Sequence, residues 1–265
     1  MLISVIIPSY KPKEYIWKCL DSLDVQTLSK SLFEVVVVLN GCNEPYFSFL
    51  KEGLKRYKTL NVRLIRTDDG GVSNARNIGL SQTDSEYVCF VDDDDWVSES
   101  YLECLAAKAA KNVIVAANVM AFNEEKQMCV EDYITKAYAK FSPNSHISLF
   151  RGRKFMSSSC CKMISRTQIG DKRFDTRFAI GEDALFMASI SSAVSYITLA
   201  DKEAVYYRRL RACSASRSKM SLMRKMRNSF CLCLAYTSLY IKDLRQNSLP
   251  FFLSRIVATV IRIVK

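Results

Sequence analysis

Four consecutive aspartates, Asp92 to Asp95, follow the apolar run Tyr87–Val91 and precede Trp96. Adjacent carboxylates repel one another, and a folded chain offsets that repulsion with a cation or with hydrogen-bond donors. Mg²⁺ and Mn²⁺ prefer carboxylate oxygens and often share their coordination with substrate phosphates. The run therefore predicts a divalent-metal site that holds a nucleotide diphosphate. The alternative is a solvated acidic turn in which Asp95 or Ser98 caps the next helix.

The elements around this acidic run alternate between strand and helix patterns. Short apolar runs predict strands at 3–7, 34–39, 62–65 and 87–91, and apolar residues at helical spacing predict helices at 15–25, 47–57, 73–80 and 101–110. Such alternation predicts a parallel, doubly wound sheet with right-handed crossovers. The aspartates would then lie at the carboxyl edge of the sheet, where open α/β sheets bind ligands.

The second half of the chain is less regular. We expect further strands at Val113–Val119 and Val194–Leu199, separated by a loop-rich stretch that contains Ser157–Lys162. Stretches of this kind often build the substrate side of the cleft in α/β enzymes. Helical spacing predicts two more helices near the end, at Ser221–Leu244 and Phe251–Val264.

The composition indicates a globular protein whose charge is unevenly distributed. Hydrophobic residues make up 49% and charged residues 25% of the 265 residues, which suits a full apolar core. Residues 1–204 hold 25 basic and 26 acidic residues, whereas residues 205–265 hold 13 basic residues and one acid, Asp243. A basic segment of this kind points to an anionic partner: a membrane surface, a nucleic acid or a phosphorylated substrate.

The cysteines and the start of the chain indicate a reducing environment. The pairs Cys160-Cys161 and Cys231-x-Cys233 lack zinc-finger spacing, and most of the ten cysteines lie in apolar stretches, as reduced core residues do. The first apolar run begins almost at once, without the basic lead and long apolar segment of a secretory signal. We therefore expect a cytoplasmic protein. The single histidine, His146, excludes a multi-histidine metal site.

Six motifs in order resemble those of the family 2 glycosyltransferases, which transfer a sugar from a nucleotide diphosphate. The resemblance covers about residues 3–215, and the motifs as a set are highly specific for the superfamily, although not for the donor sugar. The motifs are Ser4–Tyr10, Cys19–Leu23 with Gln26-Thr27, Gly71-x-x-x-Ala75-Arg76-Asn77-x-Gly79, Phe90–Asp95, Gly181–Phe186, and Tyr206–Arg208 with Ser214 and Ser216.

The resemblance implies an α/β fold of the glycosyltransferase A type. Its core would be a Rossmann-like, mostly parallel sheet flanked by helices, with a C-terminal helical extension. We expect a catalytic domain at 1–218, made of a nucleotide-binding half at 1–110 and an acceptor half at 111–218. A basic amphipathic helical tail would follow at 219–265.

The resemblance also assigns roles to the acidic residues. Asp94 and Asp92 match the family's metal-binding pair for Mn²⁺ or Mg²⁺, and Asp92 and Asp93 would also meet the nucleotide sugar. Asp183 is the candidate general base, because an acceptor hydroxyl must lose a proton as it attacks. Its sequence neighbours predict apolar surroundings, and the alternative is a structural acid at a helix N-terminus. Glu182 is expected to orient the base or to bind the acceptor.

Residues near the ends of the predicted strands complete the candidate site. Tyr10 has a flat face that suits a nucleotide base, and Asn40 offers both a donor and an acceptor where the family often has an aspartate. The planar fork of Arg76 suits either a phosphate or the aspartates, with an exposed helical arginine as the alternative. The nucleotide-sugar candidates are Pro8, Ser9, Tyr10, Asn40, Asp68, Arg76, Asp92 and Asp93, and the candidates for acceptor or phosphate contact are Glu182, Arg208 and Arg211.

The C-terminal segment combines bulky apolar residues with cations. Arg255, Thr259 and Arg262 form one narrow polar stripe, and apolar residues cover most of the remaining helix surface. This pattern suits a helix that lies in a membrane interface, since the segment is too short and too charged to predict a span. We expect the tail to hold the protein on the inner face of the plasma membrane through anionic lipid. The alternative is a helix packed on the domain or on a partner subunit.

The sequence therefore predicts a metal-dependent, inverting glycosyltransferase. It would move a hexosyl or N-acetylhexosaminyl group from a nucleotide diphosphate sugar to a hydroxyl of a glycan or lipid-linked acceptor, in bacterial cell-surface polysaccharide synthesis. The alternatives are a nucleotidyltransferase acting on sugar phosphates and a non-catalytic binder of anionic polymers. The first would carry a Gly-rich basic loop after the first strand. The second would show a nucleic-acid module, and we expect no nucleic-acid partner.

Overall fold

The computed structural model describes residues 2–142, 144–210 and 221–264. Its helices are α1 Tyr15–Asp24, α2 Tyr46–Leu54, α3 Val72–Ser81, α4 Tyr101–Ala106, α5 Tyr133–Tyr138, α6 Arg166–Ile169, α7 Glu182–Ser189, α8 Leu222–Lys242 and α9 Leu249–Val264. Its strands are β1 Ile3–Ser9, β2 Phe33–Asn40, β3 Val62–Thr67, β4 Tyr87–Phe90, β5 Trp96–Val97, β6 Val113–Ala116, β7 Asn118–Asn123, β8 Met128–Glu131, β9 Lys162–Ser165, β10 Tyr196–Leu199 and β11 Val205–Leu210.

The main sheet confirms the predicted α/β class and corrects its detailed topology. Seven strands lie in the order β10-β6-β9-β4-β1-β2-β3. The strands β4, β1, β2 and β3 are parallel, as the alternation of elements predicted, and β10 is parallel to β6. In contrast, β9 runs antiparallel to both β4 and β6. The sheet is mostly parallel rather than wholly parallel, because β9 enters from the loop-rich segment and not through a helical crossover.

The central strands are buried on both faces, which fixes the helices that carry site residues. Every residue of β1 and of β2 is buried. Helix α3 approaches β1 closely, since a Cβ atom on Gly79 would lie 2.4 Å from Cγ2 of Ile6. A side chain at that position would force the helix away from the sheet. Gly79 therefore holds α3, and with it Arg76, against the strands.

A second sheet lies beyond the acidic run and has the order β5-β11-β7-β8. β5 begins directly after Asp95 and pairs antiparallel with β11. The strand expected at Val113–Val119 is two strands, because β6 ends in the main sheet at Ala116 and β7 starts in the second sheet at Asn118. Ala117, between them, is fully buried, so the apolar pattern gives no sign of the break.

The two C-terminal helices pack on the rest of the protein through one side. Leu232, Tyr236, Phe251 and Phe252 are buried in the same apolar cluster as the strands. The packed arrangement weighed as the alternative is therefore present on this side of both helices. The expected domain boundary between residues 218 and 219 lies outside the described residues. Of the helices in the described ranges, none is both long and apolar enough to cross a membrane.

Candidate active site

The acidic run forms a turn where three strands meet. The hydroxyl of Ser9, at the end of β1, donates a hydrogen bond to Oδ2 of Asp93 at 2.6 Å. From β11, Nε of Arg209 donates to the carbonyl oxygen of Asp94 at 2.8 Å. The turn itself follows β4 and leads into β5. The predicted position at the carboxyl edge of the sheet is confirmed, with the end of β1 as its neighbour.

Asp95 is the buried member of the run. It is 4% exposed, and its two oxygens accept hydrogen bonds from the hydroxyl of Tyr206 at 2.7 Å and from the backbone N–H of Arg209 at 2.8 Å. Burial, together with the charges of Asp94 and Asp92, raises the pKa of the Asp95 carboxyl. Asp95 thus links the turn to β11. Because it is buried and both of its oxygens accept hydrogen bonds, it is not accessible to a ligand.

The capping alternative for the acidic run is wrong. α4 begins after Ser100, which makes no side-chain cap. The hydroxyl of Ser98 donates to the carbonyl oxygen of Glu203 at 2.6 Å and accepts from the N–H of Val205 at 2.9 Å. The side chains of Ser98 and Asp95 therefore hold β11 beside the turn, and neither side chain caps α4.

Arg76 connects the acidic turn to Asp183, the predicted general base. Its Nη2 lies 2.9 Å from Oδ1 of Asp92, and its Nη1 lies 2.7 Å from Oδ1 of Asp183. Burial opposes the charge of this arginine, which is 2% exposed, but the carboxylates of Asp183 and Asp92 outweigh that effect and raise its pKa. The exposed helical arginine weighed as an alternative is wrong.

Asp183 lies in the first turn of α7, in polar rather than apolar surroundings. Besides Arg76, its Oδ1 accepts a hydrogen bond from the hydroxyl of Ser159 at 2.8 Å, whereas the hydroxyl of Ser158 is 3.4 Å from Oδ2. The expected apolar environment is wrong because the serine loop before β9 folds over the carboxylate. Oδ1 is saturated by strong donors, and Oδ2 is the oxygen with room to take a proton.

Gly181 and Glu182 directly precede Asp183 at the start of α7, and both have unusual surroundings. Burial, followed by the charge of Asp183, raises the pKa of Glu182 to about 7. Gly181 has a φ of 92°, and a Cβ atom there would lie 2.7 Å from Cδ1 of Leu232 on α8. Glycine alone accepts this backbone and this contact together. The close approach brings α8 directly against the start of α7.

The loops expected around the nucleotide come together at the ends of β1, β2 and β3. Asn40 donates from Nδ2 to the carbonyl oxygen of Ser9 at 2.7 Å, and its Oδ1 accepts from the N–H of Gly71 at 2.9 Å. Because Asn40 is 2% exposed, its observed role is to clamp these two loops. Tyr10 is 54% exposed beside Gly41, and Nζ of Lys11 lies 5.2 Å from its ring centre. Stacking of a nucleotide base on this ring stays a prediction.

The remaining donor-side candidates differ in exposure. Pro8 is buried within β1, opposite Val38. The side chain of Asp68 is 82% exposed and forms an ion pair with Arg66 at 2.8 Å. Contact of Pro8, Asn40 or Asp68 with a nucleotide sugar stays a prediction.

On the acceptor side, Arg208 is engaged by the protein. Its Nη1 lies 2.7 Å from Oδ2 of Asp132, and its guanidinium stands 5.6 Å from the ring centre of Tyr133. The guanidinium of Arg208 therefore lies at the start of α5, although the residue belongs to β11, an interior strand of the second sheet. Arg211 lies outside the described residues.

The acidic turn fits a divalent cation that brings part of its own coordination. The side chain of Asp92 is 41% exposed, and Asp94 is half-buried on the same turn. Within the ranges described, no three or more His, Cys, Asp or Glu side chains are grouped to hold a metal. Mg²⁺ and Mn²⁺ held by two carboxylates, and completed by phosphate oxygens and water, need no third protein ligand. The donor set of Asp94 and Asp92 is therefore compatible with such an ion.

Comparison with known sequences decides the family. The sequence model of the family described as "Glycosyl transferase family 2" matches residues 4–169, a range that includes the acidic turn, Arg76 and the serine loop. The chain belongs to glycosyltransferase family 2. The matched range ends before Glu182 and Asp183, so the roles of these two acids stay predictions.

Two curated relatives match most of this chain. The glycosyltransferase GlyA of Streptococcus pneumoniae serotype 4 is 30% identical over 229 residues, which cover 81% of this chain and 31% of GlyA. The minor teichoic acid biosynthesis protein GgaB of Bacillus subtilis strain 168 is 28% identical over 260 residues, which cover 96% of this chain and 28% of GgaB. The chain thus spans about a third of the length of these relatives.

A solved structure confirms the predicted glycosyltransferase A-type fold. Residues 1–349 of Staphylococcus aureus TarS, in complex with UDP-GlcNAc, superpose with a TM-score of 0.75 at 24% identity. The match covers 91% of this chain and 67% of that one. At this level of identity the likeness shows the fold alone.

Several residues that contact the site were given no individual role from the sequence. Ser158 and Ser159 contact Asp183, and the hydroxyl of Tyr206 both accepts from the N–H of Asp92 at 3.1 Å and donates to Asp95. Arg209, rather than Arg208, contacts the acidic turn. The serine run and the tandem arginines are visible in the sequence, but which serine or arginine faces the site depends on a packing that local patterns do not encode.

Proposed function

We propose that this chain is the catalytic part of an inverting glycosyltransferase that acts in cell-surface polymer synthesis. The observation that supports this most strongly is the contact of one buried guanidinium, that of Arg76, with both Asp92 and Asp183. A single side chain therefore sets the distance between the acidic turn, suited to a diphosphate, and the acid suited to act as base. The family assignment favours glycosyl transfer over the nucleotidyltransferase alternative.

The proposed reaction is one displacement. The acceptor hydroxyl oxygen bonds to the anomeric carbon of the donor while the bond from that carbon to the diphosphate oxygen breaks. The electron pair of the broken bond leaves with the nucleoside diphosphate, and the hydroxyl proton passes to Oδ2 of Asp183. Arg76 and Ser159 hold Oδ1, so the carboxylate stays aimed at the acceptor. A divalent cation bound at Asp94 and Asp92 would supply neutralisation of the diphosphate charge.

The proposed substrates follow from the relatives and from the site. The donor is a nucleoside diphosphate hexose or N-acetylhexosamine, since the similar TarS structure holds UDP-GlcNAc. The acceptor is a hydroxyl of a glycan or lipid-linked polymer, in line with GgaB, which is named for teichoic acid biosynthesis. Tyr10 would stack on the nucleotide base, and Ser9 and Asp93 would shape the loop beneath it.

A panel of nucleotide sugars tested for binding and turnover with Mn²⁺ and Mg²⁺ checks the proposal. Asp94→Ala should lose metal-dependent donor binding. Asp183→Asn should keep donor binding but lose turnover by about 10²- to 10⁴-fold, the usual contribution of a general base. Asp84→Asn is the matched control, because Asp84 is an exposed aspartate away from the turn. Metal-independent turnover, or full turnover by Asp183→Asn, would refute the respective assignment.

We also propose that the protein associates peripherally with the inner face of the plasma membrane. Arg255 and Thr259 are buried, and the aliphatic side of α9 faces outward. Its exposed apolar residues, each about half accessible, are Leu249, Leu253, Val257, Val260 and Ile261. A similar exposed row along α8 consists of Met223, Met226, Phe230, Leu234 and Ile241. Outward apolar rows beside cations suit a bilayer surface.

Vesicle flotation tests this association. With the full chain, Phe230→Ser combined with Leu253→Ser should reduce binding to vesicles that contain an anionic phospholipid, because both exposed rows lose a large apolar side chain. Leu28→Ser, a change outside the two helices, is the control. Equal flotation of wild type, the double variant and Leu28→Ser would contradict the proposal. Binding of wild type that does not depend on the anionic lipid would contradict it as well.

A further inference from the structure

Lys162 is the first residue of β9 and directly follows the serine loop, residues 157–161, in the chain. Its side chain is buried, since the residue is 2% exposed. Its Nζ donates hydrogen bonds to the carbonyl oxygens of Ser158 and Cys160, both at 2.5 Å. These two residues stand on either side of Ser159 in the chain. One ammonium group therefore holds the backbone both before and after Ser159.

The residue between these two carbonyl groups contacts the candidate general base. Ser159 is fully buried, and its hydroxyl donates to Oδ1 of Asp183 at 2.8 Å. The hydroxyl of Ser158 accepts from the backbone N–H of Cys160 at 3.1 Å and lies 3.4 Å from Oδ2 of Asp183. Lys162 is therefore connected to the carboxylate in two steps, from its ammonium to the loop backbone and from a loop hydroxyl to Asp183.

The backbone of the serine loop has a conformation that needs support from its surroundings. Cys161 has a φ of 65°, in the left-handed region that is unfavourable for a residue with a side chain. Its carbonyl oxygen accepts from the N–H of Ala117 at 2.9 Å, where the chain passes from one sheet to the other. Such conformations persist only where neighbouring contacts impose them, and they are concentrated at functional sites. The contacts from Lys162 and Ala117 are of this kind.

A buried ammonium is an unfavourable group with which to hold a loop. Burial lowers the pKa of Lys162, because the loss of water disfavours its charged form. Lys108 shows the less demanding arrangement: its Nζ donates to the carbonyl oxygen of Leu199 at 3.1 Å and also pairs with Asp201, and its side chain is 16% exposed. A charged donor gives shorter and stronger hydrogen bonds than a neutral one. The property that Lys162 secures is therefore the exact position of the serine loop.

We propose that Lys162 is a positioning residue for sugar transfer, which holds Ser159 against Oδ1 of Asp183 so that Oδ2 stays directed at the acceptor hydroxyl. The inference rests on the proposed function and adds to it a residue whose hydrogen bonds, in the described ranges, go to the protein backbone. A general base must lie within hydrogen-bond reach of the proton that it removes, and a displacement of about 1 Å can lower a rate about 100-fold. Lys162 thus acts on the alignment of the base and not on the donor.

A double-mutant cycle with Ser159 in the full chain tests this inference. Lys162→Met should lower kcat about 10- to 100-fold and leave the KM for the nucleotide sugar unchanged. In a Ser159→Ala background the same substitution should lower kcat about threefold or less, because the connection from Lys162 to Asp183 is already broken. Lys108→Met is the matched control and should leave kcat unchanged in both backgrounds. If Lys162→Met lowers kcat equally in the two backgrounds, or not at all in wild type, the inference is overturned.

Hydrogen exchange of the serine loop gives a second measurement, which needs no turnover. The backbone amides of residues 157–161 should exchange about tenfold faster or more in Lys162→Met than in wild type or Lys108→Met. Lys162→Gln keeps N–H donors without the charge, so its exchange and its kcat should be intermediate, which keeps the test valid if Lys162→Met does not fold. Unchanged exchange in both Lys162 variants would overturn the inference even if kcat falls. Faster exchange in a protein that transfers no sugar from any nucleotide would instead count against the proposed function alone.

Discussion

Nη1 of Arg76 lies 2.7 Å from Oδ1 of Asp183, although the two residues are 107 positions apart in the chain. The other Nη of the same guanidinium binds Asp92 at 2.9 Å. Arg76 is therefore the element that couples the end of β4 to the start of α7. Both carboxylates depend on it to lie close together, since without a cation between them their charges would repel.

Replacement of Arg76 should be among the most damaging changes in the protein. Arg76→Leu leaves Asp92 and Asp183 facing each other without a counter-charge, and breaking a buried pair in this way typically costs about 3–5 kcal/mol. Urea unfolding measures the loss. Arg66→Leu is the control, because its ion pair with the exposed Asp68 should contribute about 1 kcal/mol or less. Equal effects of the two substitutions would show that the buried bridge is not important for stability.

Glu182 should make stability depend on pH around neutrality. Its pKa is about 7 in the folded protein, above the ordinary value of 4.5, so the folded state holds a proton that the unfolded state releases. The stability from this group is complete below about pH 4.5 and is lost as the pH rises through about 7.

The substitution Glu182→Gln removes this titration. We expect the variant to match wild type near pH 4.5 and to be more stable by about 1–3 kcal/mol above pH 7. Urea unfolding across this pH range is the measurement, with Glu125→Gln, an exposed glutamate, as the control. A pH-independent difference between Glu182→Gln and wild type would contradict the raised pKa.

Asp94 and Asp95 are adjacent but should respond differently to the same substitution. Asp95→Asn disturbs the buried hydrogen bonds to Tyr206 and Arg209, and we expect a loss of about 1–3 kcal/mol in the free energy of unfolding. Asp94→Asn should leave stability within about 0.5 kcal/mol and weaken Mn²⁺-dependent donor binding. Calorimetry of both variants, with and without Mn²⁺ and UDP, separates the effect on the free energy of unfolding from the effect on donor binding. If Asp94→Asn lowers the stability and Asp95→Asn weakens donor binding instead, Asp95 is the metal ligand and Asp94 the structural residue.

Gly181→Ala should destabilise the start of α7. The substitution places a Cβ atom 2.7 Å from Leu232 and requires a left-handed backbone, which together should cost about 2–4 kcal/mol. Thermal unfolding measures the change. Gly70→Ala is the control, since the nearest atom to a Cβ there is 3.6 Å away and its φ is not positive. If Gly181→Ala is as stable as Gly70→Ala, α8 does not constrain the acid pair as described.

The sequence by itself determined the parallel core and the acidic turn, because both arise from local patterns. Continuous apolar runs such as Val35–Leu39 specify strands buried on two faces, and Asp92–Asp95 follow such a run directly. The same reasoning predicted one strand at Val113–Val119, where the structure has two. Apolar residues satisfy either sheet equally, and only the surrounding strands decide where the chain passes from one sheet to the other.

Tertiary structure alone decided which groups meet in the site. The sequence could nominate Arg76 and Asp183 but could not show that they share a hydrogen bond, that Ser159 completes the second contact, or that Arg255 faces inward. The polar stripe of α9 predicts an amphipathic helix, but the local pattern does not show which side of the helix packs on the protein. Long-range packing decides that orientation, because the side of a helix that is buried depends on the surface it meets.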